Sequence, residues 1–200
     1  MRKAALFLDR DGVVNIDAGY TYRQDEFVFV DGIFDLVAQA SKQGYLVFIV
    51  TNQAGIGRQY YSEADFWLLM DWVVAEFLVR DGKIDKVYFC PHHPQHGIGA
   101  YHCDCECRKP KPGMLLQAAK DFDIDLVRSI FIGDKKSDMD AGAAAGVGTL
   151  LHFEPGKGCE LAMPLRCLLD AQAFFHADVN DRMDQIDDKT QIQSFDLDGA

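Results

Sequence analysis

The sequence predicts an open parallel α/β sheet with helices on both faces, and three observations carry that assignment. Short apolar runs alternate along the chain with stretches of helical periodicity, the order that strand–helix–strand units produce. A polar cluster follows four of those runs at the C-terminal end, where sheets of this kind bind their ligands. A length of 200 residues, 48% hydrophobic and 26% charged, suits one domain with a full core.

The first strand covers residues 4–8, five apolar residues that end at Asp9, Asp11 and Gly12. Gly12 allows the sharp turn that keeps both carboxyls near the strand tip. A helix is expected over 32–42 and the second strand over 45–50 (YLVFIV), with Thr51 and Asn52 just beyond it. The clearest helix is 62–80, where Phe66, Leu69, Met70, Val73, Val74, Phe77 and Leu78 recur at spacings of three and four. Ser62 and Asp65 form a capping pair at its start, and Gly82 closes it after Asp81. Strands over 86–90, 129–132 and 147–151 and helices over 112–121 and 137–145 complete the domain. The third strand ends at Cys90 and the fourth runs into Gly133 and Asp134. Trp67 and Trp72 read as core packing. The segment AGAAAGVG (141–148) reads as close helix–sheet packing rather than a nucleotide loop, because it follows a helix instead of opening one.

The domain so read is 1–175. Residues 176–200 hold seven aspartates against one arginine and one lysine, and read as a flexible acidic tail. A net charge of −11 and the lack of any basic run argue against nucleic-acid binding. The apolar part of MRKAALFL is too short for an export signal, and no run approaches the roughly 18 residues of a membrane span. The chain reads as a cytoplasmic, monomeric enzyme with a small-molecule substrate.

The strand-end residues assemble into one kind of chemistry. Two carboxylates as close as Asp9 and Asp11 repel unless a cation or a proton intervenes, which points to a magnesium site, an acid/base pair, or both. Asp9 can attack phosphorus and form an acyl phosphate, while Asp11 protonates the leaving oxygen and later deprotonates water. Thr51 and Asn52 supply neutral donors and Lys109 a cation for the charged phosphoryl oxygens. Asp134 completes an oxygen-rich magnesium site with Asp9 and the backbone carbonyl of Asp11.

The order DxDG, strand-end Thr, distant Lys and GDxxxD resembles the haloacid dehalogenase superfamily of phosphohydrolases over about residues 3–153. FLDRDGVVN, TNQAGIGR, CPHHP, CRKPKPGM and IGDKKSDM further resemble the sugar-bisphosphate phosphatases of its histidinol-phosphatase-like branch. The resemblance implies a Rossmann-like fold and a magnesium-dependent phosphatase that removes the 7-phosphate of a heptose bisphosphate. It implies nucleophile Asp9, acid/base Asp11, phosphate contacts from Thr51 and Lys109, and substrate recognition by Arg108. It also implies substrate contacts from Asp17, Ala18, Gly19, Tyr20, Asn52, Gln53, Ala54 and Lys135. Gln59 stands where the resemblance leads one to expect glycine. Two other functions compete: histidinol-phosphate hydrolysis, and a zinc-stabilised binding module without catalysis.

The segment between Cys90 and Pro112 is rich in proline and poor in apolar residues, so something must tie it down. Cys90, His92, Cys105 and Cys107 supply three sulfurs and one nitrogen, the donors of a closed structural zinc site over 90–107. His93 and Cys103 are alternative ligands; His96 and His102 read as loop residues, and Cys159 and Cys167 as core. The loop ends at Arg108 and Lys109, so its metal would hold both cations in place. No insertion is long enough for a separate cap domain, and an open mouth suits a substrate with a second phosphate.

Overall fold

The computed structural model describes residues 2–153, 163–165 and 167–175. The tail expected over 176–200 and Cys159 lie outside the described residues. Among the described residues, six parallel strands form one sheet in the order β3-β2-β1-β4-β5-β6. They are β1 (Ala5–Leu8), β2 (Leu46–Asn52), β3 (Lys86–Cys90), β4 (Ile130–Gly133), β5 (Thr149–His152) and β6 (Met163–Pro164). Five of these were expected. β6 was not, because two residues carry no periodicity.

The strand sequences alternate between two cores, as a pleat with period two requires. Leu6 and Leu8 of β1, Val47 and Ile49 of β2, and Ile130 and Ile132 of β4 face one core. Ala5, Phe7, Phe48, Val50 and Phe131 face the other. The first core is closed by α1 (Ile33–Lys42) and α3 (Glu63–Leu78), the second by α4 (Gly113–Phe122) and α5 (Lys136–Ala145). All four side chains of β1 are fully buried, each large one worth about 1.5–3 kcal/mol of apolar burial. That makes β1, between β2 and β4, the rigid base on which Asp9 stands.

α3 begins as expected. Ser62 Oγ accepts from the Asp65 N–H at 3.1 Å, and Asp65 returns a bond to the Ser62 N–H at 2.8 Å. It ends slightly differently: Asp81 takes the left-handed conformation (φ 62°), and Gly82 donates its N–H to the Phe77 carbonyl at 3.0 Å. Trp72 packs on Phe27 and Phe29, and Trp67 rests on Phe66 and Phe89. The 141–148 segment ends α5 and leads into β5, with Gly142 against Phe131 and Leu150, so it serves packing.

Two expectations need correction. β2 runs through Thr51 and Asn52, so these residues are its last, held by pairing with Phe89 and Cys90 of β3. Cys167 is exposed rather than core, because it caps a 3₁₀ turn whose inward residues are Leu168 and Ala171. Among the described residues no helix is long and apolar enough to cross a membrane, and no separate cap covers the sheet edge.

Candidate active site

The C-terminal tips of β1, β2 and β4 bring a buried ion cluster together. Lys109, in the loop between β3 and α4, sends its ammonium across the sheet edge. Nζ lies 2.8 Å from Asp9 Oδ1, 2.7 Å from Asp138 Oδ1 and 2.8 Å from the Val50 carbonyl. Asn52 fixes that reach: its amide donates to the Lys109 carbonyl at 3.0 Å and accepts the Lys109 N–H at 3.1 Å. Asp9 Oδ1 also accepts the Arg10 N–H at 2.8 Å.

Asp138 is the last residue of the GDxxxD pattern in the sequence, where it carries no role of its own. It is buried, and it reaches the cluster because Gly133 has no side chain: a Cβ there would collide with the Asp138 carboxylate. A Cβ on Gly12 (φ 99°) would similarly strike the Asp134 carboxylate, so the first turn needs glycine for backbone shape and for space.

Three carboxylates, Asp9, Asp134 and Asp138, offer oxygens within 4.8 Å of one another. Asp9 and Asp138 share the Lys109 ammonium and, among the described residues, Asp134 meets only Lys135, at 3.5 Å, so the cluster carries surplus negative charge. Burial pushes the Asp9 carboxyl up to about 8, with Asp138 and Asp134 adding to it and Lys109 opposing. Burial also raises Asp134, whose buried Oδ1 has no hydrogen-bond partner among the described residues. Burial alone would lower Lys109, but the ion pairs with Asp138 and Asp9 outweigh it and hold the ammonium above its ordinary range. An unpartnered carboxylate oxygen beside surplus anionic charge is a donor set that fits a hard divalent cation.

Asp11 points elsewhere, into a cage made only of donors. Arg10 Nη2 lies 2.7 Å from Oδ1 and 3.0 Å from Oδ2, and Asn15 Nδ2 is 3.2 Å from Oδ1. Gln53 Nε2 donates to Oδ2 at 3.0 Å and to Thr51 Oγ1 at 2.8 Å. Since Thr51 Oγ1 accepts that bond, its own proton is free for a ligand. Arg10, almost fully buried, also binds the Thr21 carbonyl at 2.8 Å. Gln53, expected at the substrate, is itself buried with both ends of its amide engaged, the second by the Tyr61 hydroxyl.

Of the remaining residues expected at the substrate, Lys135 and Asp17 reach toward the ion cluster. Asp17, Ala18, Gly19 and Tyr20 are exposed, and Ala54 opens the short α2 (Ala54–Gly57), which the sequence reading did not anticipate. Lys135 Nζ bridges Asp17 at 3.0 Å and Asp134 at 3.5 Å, tying Asp17 to the ion cluster. Arg108 donates to the His92 carbonyl at 3.1 Å. Gln59 has φ 62°, the left-handed backbone for which glycine would be the usual occupant.

Beside the mouth, the long loop closes on a second cluster. Cys90, Cys105 and Cys107 have sulfurs 3.1–3.4 Å apart, and His92 Nδ1 lies 3.7 Å from Cys90 and 3.4 Å from Cys107. His93 is outside it, its Nδ1 accepting the N–H groups of Gln95 and His96, and Cys103 is outside it too. Close contacts with Cys90, Cys105 and His92 pull the Cys107 thiol down to about 5, while that same Cys107 contact and burial push Cys90 up. One thiolate is thus already favoured, and a soft cation would let the others ionise.

These features agree with what the chain is similar to. A family model described as HAD-hydrolase-like matches residues 106–152. A D-glycero-alpha-D-manno-heptose-1,7-bisphosphate 7-phosphatase from Burkholderia mallei is 57% identical over 151 residues, 76% of this chain and 80% of its own length. The chain belongs to the heptose-1,7-bisphosphate 7-phosphatase family. A member from Vibrio cholerae, named for the beta sugar, is 47% identical over 78% of this chain and 84% of its own length. The crystal structure of the D,D-heptose 1,7-bisphosphate phosphatase from B. bronchiseptica, complexed with magnesium and phosphate, superposes with a TM-score of 0.73 at 28% identity. It covers 85% of this chain and 96% of that one. Membership in this family places the buried ion cluster, the Asp11 cage and the thiol cluster in a phosphatase of the haloacid dehalogenase superfamily.

Proposed function

We propose that this protein hydrolyses the 7-phosphate of D-glycero-D-manno-heptose 1,7-bisphosphate, releasing the 1-phosphate and inorganic phosphate. The observation that carries the proposal is Asp9, fixed at the tip of β1 by Lys109 and set beside the donor cage of Asp11, in a chain 57% identical to an enzyme of that name.

The chemistry follows from the donors. Lys109 and the Arg10 N–H occupy Asp9 Oδ1, which leaves Oδ2 to attack phosphorus. A bond forms from Asp9 to phosphorus while the bond from phosphorus to the sugar O7 breaks, and Asp11 gives O7 its proton. Water then attacks the phosphorus of the aspartyl phosphate, Asp11 takes the water's proton, and Asp9 leaves as carboxylate with phosphate released. Thr51 donates to a phosphoryl oxygen, and Lys109 offsets the charge there. Magnesium, when bound by Asp9, Asp134 and the Asp11 carbonyl, supplies positive charge to the phosphoryl oxygens. Gln53 and Asn52 position Asp11 and Lys109, while Asp17, Ala18, Gly19, Tyr20, Ala54 and Lys135 surround the sugar.

Zinc held by Cys90, His92, Cys105 and Cys107 would fix the loop that ends in Arg108 and Lys109. Cys107→Ser should lose the metal and keep the sheet, since only a peripheral loop is closed by it. Substrate affinity and turnover should both fall. Elemental analysis of protein prepared under reducing conditions without chelator checks this: about one zinc per wild-type chain and none in the variant. Zinc-free wild-type protein would contradict it.

Arg108 is the group for the far end of the sugar, because a guanidinium binds phosphate in a fixed fork. Arg108→Ala should cost about tenfold to a hundredfold in kcat/KM on the bisphosphate, the worth of a charged hydrogen bond. It should cost far less on a small generic phosphate ester; equal losses on both would assign Arg108 to the chemistry or the loop.

Parallel kinetics on both heptose bisphosphate anomers and on histidinol phosphate test the function itself. A heptose bisphosphate should be the best substrate, with the alpha anomer ahead, since the alpha-named relative is 57% identical and the beta-named one 47%. Greater efficiency on histidinol phosphate would overturn the reading.

A further inference from the structure

We propose that Tyr61 is a positioning residue for Asp11, acting through the side-chain amide of Gln53. The inference rests on the reading of Asp11 as proton donor to the leaving sugar oxygen. An amide has two chemically opposite ends of nearly equal shape, and only one orientation of Gln53 suits its neighbours. With Nε2 forward, it donates to Asp11 Oδ2 at 3.0 Å and to Thr51 Oγ1 at 2.8 Å. Turned over, its oxygen would confront the carboxylate of Asp11. The Asp11 carboxylate selects the first orientation, and the Tyr61 hydroxyl anchors the amide in it by donating to Gln53 Oε1 from behind.

Tyr61 is itself held too firmly to drift. Its ring stacks on Tyr22 with centroids 5.0 Å apart and planes 7° from parallel, and it lies over the bare Cα of Gly55, where a Cβ would collide with it. Burial pushes its phenol up to about 12, so it stays a donor throughout the neutral range. Tyr22 follows Thr21, whose carbonyl holds the Arg10 guanidinium that binds Asp11 from the other side. The stacked pair therefore backs both groups that aim the carboxylate. Neither tyrosine figures in the motifs read from the sequence, since Tyr61 stands eight residues from Gln53 across α2.

Tyr61→Phe keeps the ring and the stack and removes only the hydroxyl, so it separates positioning from packing. A sugar alkoxide needs its proton at departure, whereas p-nitrophenolate leaves without one. Single-turnover release of the alcohol, with enzyme in excess, reports the first chemical step alone. For Tyr61→Phe the rate on heptose bisphosphate should fall roughly tenfold, a part of what proton transfer contributes. KM and the rate on p-nitrophenyl phosphate should stay within about twofold. In a Gln53→Ala background the same substitution should have no further effect. Equal losses on both esters, additivity with Gln53→Ala, or an unchanged sugar-phosphate rate would overturn the proposal. Asp11→Asn run alongside separates the two levels. If it shows the leaving-group dependence and Tyr61→Phe does not, the relay fails alone; if Asp11→Asn lacks it, the reading of Asp11 fails and the relay with it.

Discussion

Asp9→Asn should reduce turnover of heptose bisphosphate by at least about four orders of magnitude, the scale on which removal of a nucleophile acts. The amide keeps the volume and can still meet Lys109, but it has neither the charge to attack phosphorus nor a carboxylate for a cation. Stability should move the other way. Burial raises the Asp9 carboxyl to about 8, above its ordinary value of 3.8, so ionised Asp9 weighs against folding at neutral pH when no metal balances it. That penalty vanishes below the unfolded-state value and is fully present only above about 8. In chelator, Asp9→Asn should therefore melt at or above the wild-type temperature, by an excess that grows as pH rises from 4 toward 8. A melting curve and a turnover assay on one preparation check both halves, and an inactive variant that is also unfolded would not count.

Lys109→Met should damage both properties together. The ammonium is the shared partner of Asp9 and Asp138, all three nearly inaccessible to water. Its removal leaves two buried carboxylates facing each other, with Asp134 close by, and breaking a buried pair in this manner costs about 3–5 kcal/mol. Turnover should fall on the order of a thousandfold, since the same ammonium faces the transferring phosphoryl group. Denaturant unfolding reads the first effect as a lower midpoint at unchanged slope. Adding Asp138→Asn should restore much of the stability and little of the activity. Lys109→Arg should not rescue turnover, because a planar fork cannot meet Asp9, Asp138 and the Val50 carbonyl as one tetrahedral ammonium does. A Lys109→Met protein as stable as wild type would show that the ammonium does not offset the burial of these two carboxyl groups.

The sheet was legible because its central strands are buried on both faces and so read as unbroken apolar runs, AALFL and YLVFIV among them. Where strand pairing continued past the apolar residues, legibility stopped: Thr51 and Asn52 are polar, yet β3 holds them in register. The four-residue α2 escaped notice because AGIG has neither propensity nor period, and β6 because it is shorter than any pattern. The four residues of the thiol cluster could be read from spacing and loop composition, and the structure brings those four together while leaving His93 and Cys103 apart. Asp138 could be read as the end of GDxxxD but not as a partner of Lys109. Its place in the ion cluster depends on the missing side chain of Gly133, one strand end away, which is a packing fact rather than a local one. Gln53 shows a similar limit: sequence places it at the mouth, but only geometry reveals that its amide is spent on Asp11, Thr51 and Tyr61.

The proposed reaction transfers one particular phosphate to one particular carboxylate. Heptose 1,7-bisphosphate radiolabelled in the 7-phosphate, mixed with excess enzyme and quenched in acid within milliseconds, tests it in a single experiment. The label should appear on the peptide that contains Asp9, decay as inorganic phosphate appears, and be absent from Asp9→Asn protein. Label on another peptide, or label reaching Asp9 only from substrate marked in the 1-phosphate, would contradict it.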